Sequence, residues 1–394
     1  RKSSNKKIYK GEGVMHVKKM IVFTMFMLMS VGICGYSNDT KQQTVKEEKG
    51  VEINAENFPS EYVRELVSES FDSNNDNQLS QNEIDAVTEL WIDPDDTYTY
   101  MDGLDNSNFK YSVIDCRGLE IFKNVEKIRI CVEIVEHNDE IIEEYGLLNF
   151  EKLYELDKVK ELFISGEKYK AKYELNRFPN LEKVQLNYIN NLDQIKFGDK
   201  IKQIKFNSVY TDSVIDLSKV HSLERFKAIG FNCNGIVYGK NKKLKNISMK
   251  EIGKGIKEID VSKLKNLRRL EVWYSKYLKN IKIGKIKNID LYECKGIKEL
   301  DISKCDKLKR VTVITTGIDK VRMSKTPSIN HLCLSFNKIE NIDLTNAKIH
   351  SLSLQGNPIK NIDVSKAKRI DKIYVKKCQN VKKGDKQQIK IIRR

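Results

Sequence analysis

An apolar residue followed three and five positions later by two further apolar residues recurs along this chain at a step of about 21 residues. From Val159 onward, the step between successive copies stays between 19 and 23 residues. A pattern that repeats at such a period indicates a solenoid, in which neighbouring coils stack and share one continuous core. The twelve copies begin at Val125, Val159, Leu181, Ile201, Leu223, Leu244, Leu267, Ile286, Leu308, Ile329, Ile349 and Ile370.

The alternation inside each copy predicts one β-strand per coil. In 329–334, Leu332 and Leu334 point inward while His331 and Cys333 face solvent, because successive side chains of a strand point to opposite faces. The second half of the coil has its own pattern, I-x-x-[LI]-D-[LIV]-[ST], in 256–262, 297–303, 339–345 and 359–365. This pattern predicts a short extended segment and a turn, not a helix.

The ninth position of several copies holds an Asn or Cys that can bond to backbone groups of the turn: Asn337, Asn357, Cys294 and Cys378. With the period, these residues resemble the leucine-rich repeat class over 159–383. The resemblance implies a β-rich, curved solenoid with one strand per coil of about 21 residues, a concave strand face and short extended convex segments. The stretch 93–158 is expected to form an irregular leading coil or coils.

A second motif, at 72–83, resembles the calcium-binding loop of EF-hand proteins. Alternate oxygen-bearing side chains can wrap a hard cation, and a closing glutamate can supply two oxygens. The predicted helices run from Phe58 to about Phe71 and from Ile84 to Trp91, which makes 57–92 a small helical cap. Asn77 stands where the family has Gly, and it is a residue that tolerates the left-handed conformation of that turn. The candidate ligands are Asp72, Asn74, Asp76, Gln78, Ser80 and Glu83.

The resemblance implies one weak structural Ca²⁺ site, because only three ligands carry charge and no second hand follows. The affinity expected of such a site is roughly 10⁻⁴ to 10⁻³ M. A polar turn without metal is the alternative interpretation.

The amino-terminal segment 1–37 predicts export. Lys18 and Lys19 precede an uncharged stretch, Met20–Cys34, which is shorter than the roughly 20 residues that span a bilayer and is typical of a signal peptide. Cys34 lies in a lipobox-like context and is a candidate for lipidation; cleavage after Gly35 or Ser37 is the alternative. Translation is expected to start at Met15, with 1–14 as upstream sequence. A polar tether, 38–56, follows, and a basic tail, 384–394, ends the chain.

The order of signal peptide, helical cap with a single EF-hand-like loop, and leucine-rich repeats resembles bacterial cell-surface proteins of the internalin type. This resemblance implies a binding role outside the cell, lipid-anchored or secreted, with membrane contact only through a lipid at Cys34. It also implies that the helical segment shields the first coil. We expect a monomer.

Composition narrows the classes of partner. The net charge is +16, but the lysines are spread over turns and both faces, without a nucleic-acid-binding motif. We therefore expect no nucleic-acid partner. Few or no disulfides are expected from the eight cysteines, because most occupy repeat positions: Cys305, for example, is expected to fill the core.

An enzyme is the rival class, and the sequence offers it little. The chain contains five histidines and no H-E-x-x-H motif or phosphate-binding glycine loop. His331, Cys333 and His350 are the one grouping that resembles a Cys–His pair or a metal site. We expect no catalytic activity.

Outward positions on adjacent coils supply the candidate ligand-binding residues. They combine aromatic side chains with carboxylates, which suits recognition of an extracellular protein or glycan. Two alternatives are a structural spacer without a specific ligand, and a Trp273 that is covered and belongs to the core. The candidates are Glu271, Trp273, Tyr274, Asp290, Tyr292, Ile314 and Phe336, near Thr312 and Ser335.

Overall fold

The computed structural model describes residues 50–93, 113–132, 146–166 and 171–393. The predicted upstream residues and signal peptide, with Met15 and Cys34, lie outside this range, as does most of the tether. Within the leading region, 94–112 and 133–145 also lie outside it. No helix in the described ranges is both long and apolar enough to cross a bilayer.

One long parallel sheet of 14 strands runs through the described chain. Neighbouring strands come from successive coils and lie about 4.8 Å apart. The strands are β3 (Glu89–Ile92), β5 (Lys127–Cys131), β7 (Glu161–Ser165), β9 (Lys183–Ile189), β11 (Gln203–Val209), β13 (Arg225–Ile229), β15 (Asn246–Lys250), β17 (Arg269–Trp273), β19 (Asn288–Tyr292), β21 (Arg310–Ile314), β23 (Ser328–Cys333), β24 (Lys348–Ser353), β26 (Arg369–Val375) and β28 (Lys390–Arg393).

All twelve predicted strands are confirmed, β5 to β26, because the apolar residues of each copy face the interior. Leu332 and Leu334 are buried while His331 is exposed, as the alternation predicts. No coil encloses its own apolar side chains, so each one depends on its neighbours for burial. We call the solvent-facing side of this sheet the outer sheet face.

The other side of the coils carries short parallel pairs of strands. The Asp-x-Ser pattern ends several of them in a turn: the Asp363 carboxylate accepts hydrogen bonds from the Ser365 N–H (2.9 Å) and hydroxyl (2.5 Å). The pairs are β4 (Val113–Asp115) with β6 (Gly146–Leu148), β8 (Ala171–Glu174) with β10 (Leu192–Lys196), β12 (Ile215–Asp216) with β14 (Ile236–Val237), β16 (Glu258–Asp260) with β18 (Asn280–Lys282), β20 (Glu299–Asp301) with β22 (Lys320–Arg322), and β25 (Asn361–Asp363) with β27 (Asn380–Lys382). Within the described residues, short 3₁₀ turns occupy Leu119–Ile121, Phe150–Glu155 and Leu175–Arg177.

A helical segment precedes the first strand of the long sheet. Helix α1 (Glu61–Ser70) begins at Ser60, whose hydroxyl accepts a hydrogen bond from the Val63 N–H. Helix α2 (Gln81–Ala86) begins at Ser80, which forms a reciprocal capping pair with Glu83. Between them, β2 (Gln78–Leu79) pairs antiparallel with β1 (Val51–Glu52).

This segment contacts the first coil through aromatic side chains. The Phe71 and Phe122 rings meet edge to face at 5.0 Å, and the Tyr62 hydroxyl accepts a hydrogen bond of 2.8 Å from the Asp93 N–H. Phe58 packs onto Gly118, where an added Cβ would come within 2.5 Å of the ring. These contacts join α1 to the sheet.

The structure differs from the predicted boundaries at three places. The second helix ends at Ala86, and Trp91 lies on strand β3 instead of at the end of a helix. The last residues of the predicted tether belong to the folded unit, because Val51 and Glu52 form β1. The basic tail closes the sheet, since Lys390–Arg393 pairs with β26.

Buried polar side chains tie the turn of one coil to the next. The Asn337 amide donates to the carbonyls of Val313 (2.8 Å) and Leu334 (3.0 Å), and its oxygen accepts from the N–H groups of Thr316 and Gly317 (both 3.0 Å). Asn357 and Cys294 bond similarly, as predicted.

The predicted turn role of Cys378 is wrong. Cys378 is exposed, and the neighbouring Gln379 makes the buried contacts, because its longer amide reaches the carbonyls of Leu354 and Ile359. Cys305 is buried in the core, as predicted. Cys233, Cys294, Cys305, Cys333 and Cys378 form no disulfide.

Asn337→Ala should lower the free energy of unfolding by about 3 kcal/mol or more, because several buried backbone groups lose their partner at once. Chemical denaturation measures this. The control, Asn341→Ala, removes an exposed amide four residues further along the same coil. It should change stability by less than about 0.5 kcal/mol. Equal losses in the two variants would contradict the assigned role.

Glu83 gives the helical segment a pH dependence. Burial by itself would raise the pKa of Glu83, but hydrogen bonds from Ser73 and Ser80 outweigh it and lower the pKa from 4.5 to about 2. A carboxyl whose pKa is lower in the folded state stabilises the fold above its unfolded pKa and loses that effect as the pH falls towards the folded value.

The wild type should therefore exceed Glu83→Gln in stability by about 2 kcal/mol at neutral pH. This difference in the free energy of unfolding between the wild type and Glu83→Gln should narrow as the pH falls from 4.5 towards about 2. Urea unfolding at several pH values measures it, with Glu69→Gln on α1 as the control. A gap that stays constant down to pH 3 would show that Glu83 acts through shape and not charge.

Candidate binding surface

Cross-strand register places the predicted ligand-binding residues in rows. The last strand positions of β15, β17, β19 and β21 align Lys250, Trp273, Tyr292 and Ile314 side by side. All four side chains are partly exposed on the outer sheet face. Trp273 is therefore at the surface, half-covered by its neighbours, and does not belong to the core.

The rings in this row contact one another and a cation. The Lys250 ammonium lies 4.0 Å from the centre of the Trp273 ring system, and the Tyr274 and Tyr292 rings meet edge to face at 5.4 Å. The charge of Glu293 and a hydrogen bond to it raise the pKa of the Tyr292 phenol. We call Trp273, Tyr274 and Tyr292 the aromatic patch.

Seven residues after the first apolar residue of the repeat, the chain adopts a left-handed conformation in several coils. Tyr274 has φ +54° and Phe336 φ +56°, and five further coils place Tyr188, Ser208, Glu251, Glu293 or Thr315 there. A non-glycine residue in this conformation costs roughly 1–2 kcal/mol. Because the same turn recurs along the solenoid, the strain belongs to the coil geometry, and it holds the Tyr274 ring out in solvent, 47% exposed.

Two carboxylates lie beside the patch. Glu271 and Asp290 are directly opposite on β17 and β19, and the Arg269 guanidinium bridges them at 2.5 and 3.3 Å. One arginine cannot neutralise two carboxylates, so a net negative charge remains. The carboxylate oxygens can accept hydrogen bonds from a sugar hydroxyl or a basic side chain.

Phe336 lies apart from the aromatic patch. It follows β23, three coils from Tyr274, which is about 14 Å at the strand spacing of a sheet. Its ring is 56% exposed and rests on Gly356, where an added Cβ would lie 2.4 Å away. Ser335, expected to face outward, is instead buried and bonded to the Ser353 hydroxyl at 2.8 Å.

A second group of exposed aromatic residues lies at the other end of the sheet. Trp91, Arg129 and Phe163 are aligned on β3, β5 and β7, and the guanidinium lies 5.2 Å from each ring. These residues are not among the predicted ligand-binding residues, because the sequence pattern predicts a helix that runs to Trp91. The triplet Val87, Leu90 and Ile92 has the spacing of the repeat and would have revealed the strand.

In the loop predicted to bind calcium, the side-chain oxygens accept hydrogen bonds from groups of the loop itself. The Asp72 carboxylate accepts the N–H groups of Asp76 (3.2 Å) and Asn77 (2.9 Å), and Asn77 has the left-handed φ of +64° that the turn requires. The carboxylate of Asp76 accepts the N–H of Gln78 at 2.9 Å, and its other oxygen accepts from Asn74 at 2.8 Å.

Glu83 completes this loop through neutral donors. Its carboxylate accepts from the N–H and hydroxyl groups of Ser73 and Ser80 at 2.6–2.9 Å. In the described residues, no three His, Cys, Asp or Glu side chains are grouped closely enough to hold a metal ion. To ligate an ion, Glu83 would have to release these serine donors.

The grouping of His331, Cys333 and His350 does not form a nucleophile pair. The Cys333 sulfur lies 3.5 Å from the Ser335 hydroxyl, while His350 pairs with Asp371 at 2.7 Å and packs edge to face against His331 at 5.9 Å. Elsewhere, burial raises the pKa of Cys294 to about 11, which keeps that thiol protonated and unreactive.

Two depressions of about 340 and 530 Å³ are formed by residues in and beside the short strands on the other side of the coils, 192–195 with 211–215 and 319–321 with 338–343.

No known protein family and no curated protein matches this sequence. Among solved structures, an internalin (inlF) from Listeria monocytogenes is similar with a TM-score of 0.41 and 15% identity, over 84% of this chain and 93% of that one. The functional domain of InlJ from the same organism is similar with a TM-score of 0.34 and 14% identity, over 84% of this chain and 82% of that one. Likeness at this level assigns neither a family nor a function.

Proposed function

We propose that this chain is an exported, cell-surface-associated binding protein that recognises an extracellular protein or glycan through its outer sheet face. The observation that carries the proposal is the aromatic patch, three partly exposed rings on two adjacent strands with carboxylates directly beside them. Such rings offer large apolar area with polar handles and are common anchors in interfaces.

The exposure of aromatic side chains to water favours a recognition role over a spacer role. A structural spacer without a ligand would gain nothing from keeping Trp273 and Tyr274 in water, because exposed apolar area favours association. Tyr274 also occupies a left-handed position that glycine would fill with less strain. The structural spacer is the second candidate, and the test below separates the two.

Export is part of this proposal and is supported by the sequence alone. The charged residues Lys18 and Lys19 followed by the uncharged stretch to Cys34 are typical of a secreted precursor. Attachment by a lipid at Cys34, or release by cleavage after Gly35 or Ser37, would both place the solenoid outside the cell.

Trp273→Ala/Tyr292→Ala should abolish capture of the ligand by the full chain from envelope, host-cell or glycan extracts. Each anchor that is removed should cost about 2 kcal/mol or more, so the affinity of a captured ligand should fall at least about 100-fold. Capture followed by calorimetry on the isolated ligand measures this.

Two further variants make the result decisive. Tyr274→Gly removes a ring at a left-handed position, so it should weaken binding while stability stays equal or rises. Tyr277→Ala is the matched control, because that tyrosine is also exposed (43%) but lies in the turn beyond the patch. Equal capture by all variants, or no capture by the wild type, would leave the spacer as the better account.

We also propose that the loop 72–83 takes up Ca²⁺ weakly and stiffens the helical segment, which would then act as a cap on the first coil. The left-handed Asn77 supports this, as do the side-chain oxygens of Asp72 and Asn74, which both accept a hydrogen bond from the Asp76 N–H. Gln78, Ser80 and Glu83 complete the proposed ligand set, with Glu83 exchanging its serine contacts for the ion.

With a dissociation constant near 1 mM, 10 mM Ca²⁺ should stabilise the protein by about 1.4 kcal/mol. Asp76→Ala should abolish this gain, while Asp85→Ala on α2, outside the loop, should retain it. Thermal unfolding with and without Ca²⁺ measures the gain, and Mg²⁺ is the ionic control. A gain that survives in Asp76→Ala would rule out the loop as the site.

A further inference from the structure

The residue directly before each of nine consecutive long-sheet strands, from β5 to β21, carries a charge, and these residues form a row along one edge of the solenoid. Backbone hydrogen bonds fix the alignment: the N–H of Arg268 donates to the Lys245 carbonyl, and that of Lys309 to the Lys287 carbonyl, both at 2.7 Å. Side chains at this position therefore follow one another at the strand spacing, about 4.8 Å. The successive residues are Glu126, Lys160, Glu182, Lys202, Glu224, Lys245, Arg268, Lys287 and Lys309.

The first part of this row is neutralised within itself. Lys160 pairs with Glu126 at 2.6 Å and Lys202 with Glu182 at 2.5 Å. Lys245 pairs with Glu224 at 3.0 Å. Glutamate and lysine thus alternate from coil to coil.

The alternation stops at Arg268. Arg268, Lys287 and Lys309 are exposed, and none of them pairs with a carboxylate of a described residue. Lysines in the preceding turns add to this charge, for example Lys263 and Lys265 in the turn before β17. We call Arg268, Lys287 and Lys309 the basic edge.

The three cations of the basic edge repel one another, and this repulsion lowers the stability of the fold. Unit charges about 5 Å apart repel by up to about 1 kcal/mol in water. A partner that brings negative charges at a similar spacing would remove this repulsion; the nearby Asp306 carboxylate pairs instead with Lys285 at 3.6 Å.

We propose that the basic edge binds a linear anionic glycopolymer, lying along the solenoid axis, through its sulfate or phosphate groups. A row with one cation per coil fits an extended chain better than a compact anion. Asn266 stands two residues before Arg268; its amide N–H donates to the Lys242 carbonyl at 2.8 Å, and its amide oxygen can accept a hydrogen bond from a sugar hydroxyl.

A nucleic acid fits this edge less well. The turns 262–269, 284–288 and 303–310 contain no aromatic residue on which bases could stack, and stacking carries much of the affinity for single strands. The edge also presents no helix or strand pair that projects into a duplex groove.

The basic edge is separate from the aromatic patch. Arg268 precedes strand β17 and Trp273 ends it, so about 13 Å or more of strand lies between them. Binding at this edge therefore does not rest on the function proposed above.

The test measures binding of sulfated dextran and of poly(glycerol phosphate) to the full chain at several salt concentrations. Neutral dextran and duplex DNA are the comparison probes. Arg268→Glu/Lys287→Glu/Lys309→Glu should lower the affinity for one or both anionic polymers at least 30-fold and reduce the slope of log K against log salt by about 2. The two polymers distinguish a sulfated from a phosphate-bearing source.

The chain supplies a matched control for overall charge. Lys257→Glu/Lys279→Glu/Lys298→Glu makes the same charge change on consecutive coils at exposed positions of the other side, where Glu258 and Glu299 stand beside the lysines. This variant should stay within threefold of the wild type. The neutral variant Arg268→Gln/Lys287→Gln/Lys309→Gln should show an intermediate loss, and Trp273→Ala/Tyr292→Ala should bind the polymers normally.

Three outcomes would overturn the proposal. Equal losses in the two glutamate variants would mean that net charge alone attracts the polymers. Tighter binding of duplex DNA than of either polymer would assign the edge to nucleic acid. Absence of binding by the wild type at low salt would mean that the edge is only a solvated surface.

Discussion

The cross-coil backbone hydrogen bonding of the long sheet is the constraint on which the rest of this molecule depends. It joins 14 strands in parallel, so equivalent residues of successive coils stand side by side. A coil of this length cannot enclose a core, and burial is completed only by the coils before and after it. Buried polar groups also depend on neighbouring coils, because the Asn337 side chain makes hydrogen bonds to backbone groups of its own coil and of the coil before it.

This constraint turns single positions into rows with one chemistry each. Along strand β17, the outward-facing residues are in turn a cation, Arg269, a carboxylate, Glu271, and an aromatic ring, Trp273. Because neighbouring coils share the register, the character of a row is set by which residue types recur at that position. The net charge of +16 is therefore not spread evenly: it is neutralised in one part of the charged edge and accumulates in another.

The sequence was sufficient to predict the solenoid and most of its strands, because the repeat depends on burial, and burial depends on residues close together in the chain. It failed where a local pattern was ambiguous. Val87, Leu90 and Ile92 follow directly on a short helix, so their strand spacing was absorbed into a helical pattern. Gln379 was missed because its role depends on the reach of a side chain across a coil boundary. The seven candidate ligand-binding residues are partly or fully exposed, Trp273 included, whereas Ser335 is buried. However, the Arg269 bridge and the unpaired basic edge exist only through cross-strand register, which no single strand encodes.

The aromatic patch and the basic edge would bind their partners through different physical interactions. Aromatic anchors gain free energy by leaving water, an effect that moderate salt hardly changes, whereas the basic edge acts through charges that salt screens within about 10 Å at 0.1 M. With roughly 13 Å of strand between them, a bulky partner can cover both, while a thin polymer chain can occupy the edge and leave the patch free. An anionic polymer held along the edge would then leave the aromatic face open to a second partner. The solenoid could in this way present both surfaces at once, because neither one requires a residue of the other.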